Sequence, residues 1–360
     1  MRLKGLKRAL LWLPAKLYEL LVRLRIAAYE TNYLTPKRIS ATVISVGNIT
    51  LGGTGKTPLV EYIARYLSQE GYSVAILTRG YGRSSSGMKV LRGHQASALP
   101  WHYREFGDEP LMLARALPDV PIIVNEKRYE GARFAERSFG SEVLILDDGY
   151  QHLRLARDLN ILVLDATDPF GGFEMVPFGR LREPLYALNR ADLIIINRAH
   201  RPFDQAQTLA VIGYICGDQM PIFYTYPVIT ALRHLRTGRF YGIEQFSGWR
   251  ASVLCGIGNP RAFCDDLADA GIQIASEHFF ADHHPFTQAD LDRATEGALA
   301  AQADMIVTTE KDAVRLEFLS ERQVPVYSAK LELRSEDEIK LKSMLLRALL
   351  KRGPINKWAQ

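Results

Sequence analysis

Val46-Gly47-Asn48-Ile49-Thr50-Leu51-Gly52-Gly53-Thr54-Gly55-Lys56-Thr57-Pro58 links an apolar run, Thr42 to Val46, to a stretch of helical periodicity from about Lys56 to Glu70 that Gly71 stops. A glycine-rich turn between strand and helix turns backbone N–H groups around an anion, at a helix N-terminus whose dipole already favours negative charge. In that geometry Gly52, Gly53, Thr54 and Gly55 wrap phosphate oxygens, Lys56 reaches the β- and γ-phosphates and the Thr57 hydroxyl binds Mg2+. One departure stands out. The strict pattern has glycine six residues before the lysine, and here Thr50 occupies that place; the Gly-Gly-x-Gly-Lys-Thr form belongs to another P-loop branch, although Leu51 replaces the lysine often found before its first glycine. A glycine-rich turn can also bind nothing, but Lys-Thr following it in this context favours a nucleotide.

The segments on either side alternate in the same way. Ser73 to Leu77, Ile122 to Val124, Val143 to Leu146, Ile161 to Leu164 and Leu193 to Ile196 are short apolar runs, and Glu109 to Ala116 and Lys127 to Ser138 are helical between them. Alternation of this kind predicts an α/β fold, a P-loop NTPase-like and mostly parallel sheet with helices on both faces. Val143 to Leu146 ends in Asp147-Asp148, where a P-loop fold keeps its metal-binding aspartate. Two adjacent carboxylates repel unless a cation lies between them or one turns away, and strand geometry sends their side chains to opposite faces. The bland alternative is a turn beginning at Gly149. A guanine-specific Asn/Thr-Lys-x-Asp element is supplied neither by Ile196-Asn197-Arg198-Ala199 nor by Thr309-Glu310-Lys311-Asp312, so ATP is the expected nucleotide.

Beyond residue 220 the pattern changes. Phe223 to Ile229 and Ala231 to Thr237, before Gly238, with Arg239 to Ile243 after it, suggest a hairpin or ribbon. A second alternating unit follows: Ser252 to Ile257, helices near Arg261 to Ala270 and Thr287 to Ala301, and Met305 to Thr308. Ser335-Glu336-Asp337-Glu338 reads as a capping box opening a last helix to about Leu350. The expected organisation is an N-terminal helix over 1–30, a P-loop core over 31–220, a β-ribbon linker over 221–245, a smaller second α/β lobe over 246–330 and a C-terminal helix over 331–360.

With 360 residues, two lobes are expected rather than one. Net charge +5 and pI near 9.0 are mildly basic, and aromatic residues do not interleave with basic clusters, so nucleic acid is not an expected partner. Cys216, Cys255 and Cys264 fit neither a zinc site nor a disulfide framework and read as reduced thiols. The opening Met1 to Leu21 has too short an apolar run for a signal peptide, and Pro14, Lys16 and Glu19 interrupt the best candidate for a membrane span. Leu6, Leu10, Leu13, Leu17, Leu20 and Leu24 instead recur at alternating spacings of four and three, and the first 25 residues carry seven basic residues and one acidic. That is the pattern of an interfacial helix on an anionic membrane; a helix packed on the protein's own core is the other reading.

Taken together, these motifs resemble the tetraacyldisaccharide 4'-kinases, which phosphorylate a lipid A precursor. The markers are Val46 to Thr50, Thr78-Arg79-Gly80-Tyr81-Gly82-Arg83, Gly107-Asp108-Glu109-Pro110, Asp147-Asp148-Gly149-Tyr150-Gln151-His152, Leu181-Arg182-Glu183-Pro184, Asp282-His283-His284 and Thr309-Glu310-Lys311-Asp312-Ala313-Val314, so the resemblance covers almost the whole chain. It implies ATP and Mg2+ as cofactors and the 4'-hydroxyl of a tetraacyl disaccharide 1-phosphate as acceptor. It implies a peripheral place on the cytoplasmic side of the bacterial inner membrane, with that lipid and the anionic surface as partners and no obligate protein partner. Lys56, Asp108 and His283 would be catalytic, Asp108 as base and His283 as the group that tunes it. Thr57, Asp147 and Asp148 would serve the metal. Arg79, Tyr81, Arg83, Gln151, His152, Arg182 and Glu183 are the candidates to face substrate, with Glu183 a possible aid to the metal. For Asp108 the residues alone leave open an N-cap for the helix at Glu109, and for Arg182 and Glu183 an ordinary ion pair. With Asp108 placed in the first lobe and His283 in the second, lobe closure would complete the site. A regulatory P-loop NTPase or metallochaperone is the alternative, but it calls for ligand-binding cysteines or switch segments that are not visible. A membrane scaffold with a vestigial nucleotide site would have lost Lys56 and the aspartates.

Overall fold

The computed structural model describes residues 2–93, 102–321 and 323–350. In chain order its elements are α1 (Arg2–Glu30), β1 (Thr42–Gly47), α2 (Lys56–Gln69), β2 (Val74–Thr78), β3 (Lys89–Leu91), α3 (His102–Phe106), α4 (Asp108–Ala116), β4 (Ile122–Val124), α5 (Arg128–Phe139), β5 (Val143–Asp147), β6 (Leu159–Asp165), β7 (Leu193–Asn197), α6 (Gln205–Cys216), β8 (Ile222–His234), β9 (Phe240–Gly242), β10 (Arg250–Cys255), α7 (Pro260–Asp269), β11 (Gln273–Phe279), α8 (Gln288–Ala300), β12 (Met305–Thr309), α9 (Glu310–Leu316), β13 (Val326–Ser335) and α10 (Glu338–Leu350).

Two compact units share these elements. The first holds Met1–Thr78, Lys127–Tyr226 and Ser335–Gln360; the second holds Arg79–Glu126 and Pro227–Arg334. In the first unit the strands run β2-β5-β1-β6-β7-β8, every neighbouring pair parallel. Strands β1, β5, β6 and β7 are buried along their whole length, which is why they read as unbroken apolar runs rather than as alternating ones. Helix α1 passes Pro14 without interruption and meets this unit through Ile26, which packs with Leu153 and Ala187.

In the second unit β11-β10-β12-β13 form a parallel sheet, β3 and β4 pair antiparallel, and β9 pairs antiparallel with the end of β8. Its core gathers Leu232, Val253, Leu267 and Val307, among others.

Several expectations change. Residues 79–126 do not belong with the P-loop core: α4 packs on α9, and the Arg115 guanidinium pairs with Glu317, so this insertion takes its contacts from the second unit. The two short strands expected around residue 230 are one 13-residue strand, β8, since nothing breaks the ladder at Thr230. The capping box at 335–338 does not form. Helix α10 begins at Glu338, too late for Ser335 to be its N-cap; Ser335 Oγ donates to the Tyr224 carbonyl, and Glu338 Oε1 accepts from Tyr62 Oη. A capping box does open α8, between Thr287 and Asp290.

Candidate active site

In the first unit the chain leaves β1 into the phosphate loop. Thr50 is buried and bridges Leu181 in extended conformation, so the position where the strict motif has glycine is here a piece of strand pairing. The turn proper begins at Gly52. Gly55 caps α2 at φ 85, and a Cβ there would collide with the Asn197 side-chain amide. Only glycine combines that backbone with that approach. Three side chains hold loop carbonyls: Arg180 Nη2 donates to the Leu51 carbonyl (2.8 Å), Arg198 Nη1 to that of Gly53 (3.2 Å) and Asn197 Nδ2 to that of Thr54 (3.0 Å). Asn197 is itself held by Thr225 Oγ1, and Arg198 by the Asp165 carboxylate. With these carbonyls occupied on the protein side, the loop keeps its shape for an anion.

Asp147 and Asp148 separate, but not by strand alternation, because β5 ends at Asp147 and Asp148 lies beyond it. Asp147, buried at the end of β5, accepts from Thr78 Oγ1 (3.3 Å), and its carbonyl accepts from Arg128. Asp148 stands in the left-handed region (φ 52) and takes a two-pronged bond from Arg182, at 2.9 and 3.0 Å. Lys56 Nζ lies 3.7 Å from the same carboxylate. Burial works to raise the Asp148 pKa, but Lys56 and Arg182 outweigh it and hold the carboxyl well below the usual range. The guanidinium has the short bonds and Lys56 the long one, so Arg182 fixes Asp148 while the lysine's donors remain available to phosphate.

Arg182 also donates to Asn48 Oδ1 (3.1 Å), and the Asn48 carbonyl accepts from Gln151 Nε2 (2.8 Å). Helix α1 touches the same cluster: Tyr18 Oη donates to the Arg182 carbonyl and Arg25 to that of Gln151. His152 is half-buried next in line. Glu183 goes elsewhere; it is buried and paired with Arg190, whose guanidinium covers the Tyr150 ring.

The second unit holds Asp108 and His283. Asp108 is the first residue of α4, but the cap is Gly107 at φ 94, so the N-cap reading does not hold. Its buried carboxylate instead meets His283 Nδ1 at 2.9 Å, with Arg315 Nε at 3.6 Å. Both partners lie in one unit, so the pair forms without the lobe closure expected from sequence. His283 occupies the left-handed region at φ 60, its N–H bonded to the Gly256 carbonyl. The Tyr81 ring packs on His283 at 5.3 Å between centroids. His284 turns away to Asp290 and stacks on Phe280, so the two histidines do not converge on a metal. Arg79 is exposed, whereas Arg83 has its Nε and Nη1 buried with no hydrogen-bond partner among the described residues.

Sequence reasoning missed Asn197, Arg198 and Arg180 as clamps of the loop. Asn197 ends an apolar strand beside β6, a position that could have drawn attention, but the tetrapeptide was weighed only as a guanine element.

The family model of tetraacyldisaccharide-1-P 4'-kinase matches residues 7–350. The chain belongs to that family. Among curated relatives named tetraacyldisaccharide 4'-kinase, that of Geobacter sulfurreducens is 38% identical over 342 residues, 95% of this chain and 93% of the relative. That of Halothermothrix orenii is 37% identical over 311 residues, 83% of this chain and 80% of the relative. The crystal structure of LpxK from Aquifex aeolicus in complex with ATP superposes with a TM-score of 0.75 at 30% identity, covering 95% of this chain and 99% of that one. Membership in the 4'-kinase family makes the chain a kinase of the lipid A pathway and gives the parallel P-loop sheet its place among kinase folds.

Proposed function

We propose that this 4'-kinase moves the γ-phosphoryl group of ATP to the 4'-hydroxyl of a tetraacyl disaccharide 1-phosphate, with Asp108 as general base. The observation that carries the reading is the Asp108–His283 pair. A buried carboxylate held by an imidazole is equipment for taking a proton from an acceptor hydroxyl. A carboxylate base could equally activate water in a nucleotide-hydrolysing switch, and it is membership in the 4'-kinase family that makes the acceptor a lipid hydroxyl.

Phosphoryl transfer asks mainly for positioning and for neutralisation of charge. The loop from Gly52 to Thr57 binds the phosphates, and Lys56 meets the negative charge that accumulates on them. Asp108 accepts the hydroxyl proton as the new P–O bond forms and the bond to ADP breaks, its electron pair leaving with ADP. Arg83, whose buried Nε and Nη1 have no hydrogen-bond partner among the described residues, suits an anionic group of the substrate, and Tyr81, Arg79, Gln151 and His152 are the further candidates to line it.

The donors offered to Mg2+ are hard oxygens, as that ion requires: the Thr57 hydroxyl and the Asp147 carboxylate. Asp148, already committed to Arg182, is the weaker candidate, and Glu183 is committed to Arg190. Bound there, Mg2+ would neutralise phosphate charge.

Helix α1 supports a peripheral membrane site. Leu10, Leu13, Leu17, Leu20 and Leu24 are all more than half exposed, while Ala15 and Ile26 on another face are buried. The leucine stripe is therefore unused by the core and available to lipid, on the cytoplasmic face where ATP is found. No helix among the described residues is long and apolar enough to cross a membrane. Beside α1 a groove of about 690 Å3, lined by Phe173, Leu185, Val211 and Ile215 with Lys16 and Arg23 at its rim, suits an acyl chain.

The test is incubation with γ-labelled ATP, Mg2+ and detergent-dispersed tetraacyl disaccharide 1-phosphate. Label in the lipid, absent with Lys56→Ala, is the expected result. Release of labelled phosphate with no labelled lipid would favour the NTPase reading.

A further inference from the structure

Lys311, the second residue of α9, reaches the other side of the His283 ring. Its Nζ stands 3.2 Å from His283 Nε2, 3.1 Å from Asp282 Oδ1 and 3.6 Å from Glu109 Oε1. Burial would lower the lysine pKa, but the Glu109, Asp282 and Asp108 carboxylates outweigh it and raise the pKa above the ordinary lysine range. The group is an ammonium, with three donors and no acceptor. An imidazole nitrogen that meets it must therefore supply a lone pair.

We infer that Lys311 is a positioning residue that locks His283 as the neutral tautomer with its proton on Nδ1, so that His283 donates to Asp108 and never becomes an imidazolium beside it. This rests on the reading of Asp108 as base. The consequence is chemical. A carboxylate bonded to a neutral N–H keeps more of its basicity than one paired with a cation, which would stabilise its charged form and weaken it as a base. Protonating Nε2 would point an N–H at the ammonium, so Lys311 opposes that state both by charge and by donor count. The acceptor's proton goes to Asp108, and His283 keeps its own throughout.

The other groups facing the ring do not supply this lock. Asp282 Oδ1 is 3.9 Å from Nε2 and by itself would favour a proton there. Tyr81 offers its ring, and Arg315 addresses Asp108 rather than the histidine. Glu109 and Asp282 together hold the ammonium in place, so removing Lys311 leaves the Asp282 carboxylate near Nε2 without the cation that opposes protonation there.

The experiment is 15N–1H NMR of full-length protein labelled in histidine, with the His283 signals assigned by their loss in His283→Gln. The expected wild-type pattern at neutral pH is a protonated Nδ1 and an unprotonated Nε2. In Lys311→Met, Nε2 should gain its proton at higher pH, and the acidic limb of kcat should shift upward. At neutral pH kcat should fall about 10-fold to 100-fold with KM for ATP within 2-fold, a part of the roughly 10²–10⁴-fold that general acid–base help is worth, since the base weakens but stays in place. Lys311→Arg, which keeps a cationic donor, should recover the wild-type tautomer. A wild-type Nε2–H, an imidazolium at neutral pH, or an unchanged tautomer and pH profile in Lys311→Met would overturn the inference. The base reading fails separately: turnover retained in Asp108→Asn with the tautomer as expected would refute the base and leave the lock intact.

Discussion

Replacing Asp108 with asparagine removes a base while changing little else of the local shape. The carboxylate is buried, accepts from His283 Nδ1 at 2.9 Å and stands 3.6 Å from Arg315 Nε. In Asp108→Asn the amide oxygen can still accept from Nδ1–H, which turns the NH2 group toward Arg315. Arg315 retains its pairing with Asp312, so its charge is not orphaned. A negative charge in the first turn of α4 contributes about 0.3–1 kcal/mol of stability, which at roughly 2–4 °C per kcal/mol gives a loss of only a few degrees in Tm. Loss of general-base help, by contrast, is worth roughly 10²–10⁴-fold in rate, or about 3–5 kcal/mol in the barrier. Steady-state phosphorylation of the lipid, varied in ATP, should show the whole deficit in kcat and almost none in KM for ATP, because nucleotide contacts lie on the phosphate loop. Scanning calorimetry on the same preparation supplies the control. Turnover within 10-fold of wild type, or a rate deficit that tracks a large fall in Tm, would refute the assignment of Asp108 as base.

Two further outcomes follow from the geometry. Glu183→Ala should lower stability by about 3–5 kcal/mol in denaturant titration, because it leaves the Arg190 guanidinium buried without its partner, and the KM for ATP of the folded fraction should stay unchanged; a stable variant that has lost its Mg2+ dependence would restore Glu183 to the metal. Leu13→Asp with Leu17→Asp should weaken binding to anionic vesicles at least 10-fold without a change in Tm, since burying each leucine in lipid is worth about 1.5–3 kcal/mol and both side chains are more than half exposed in the protein; cosedimentation checks it, and a fall in Tm would return the stripe to the core.

What the sequence disclosed follows burial. Strands β1, β5, β6 and β7 are covered on both faces, so their residues are nearly all apolar and announce themselves. Strand β11, with Ser276, Glu277 and His278, pairs on one side only, at the end of its sheet, and its half-exposed polar residues gave no signal. The division into units was misread at residues 79–126, because apolar periodicity says which face of α4 is buried but not against what. That partner is α9, nearly 200 residues later. The same limit hid Lys311. Its motif marked the family, but the contact with His283 spans 28 residues and two elements.

Asp148 and His283 share a feature that ties fold to chemistry, since each is a non-glycine residue held in the left-handed region. Such a conformation costs about 1–2 kcal/mol and persists only where the surroundings over-determine it. At Asp148 the two-pronged Arg182 bond does so, backed by Asn48 and Gln151, and the gain is a carboxylate aimed at Lys56 rather than continued along the strand. At His283 the Gly256 carbonyl fixes the backbone while Asp108 and Lys311 fix the ring from opposite sides. At both of these positions the strained residue redirects charge beyond the end of a parallel strand. A substitution that relieves the strain, such as Asp148→Gly, would therefore keep the backbone comfortable and lose the charge that places Arg182, separating the two contributions within a single residue.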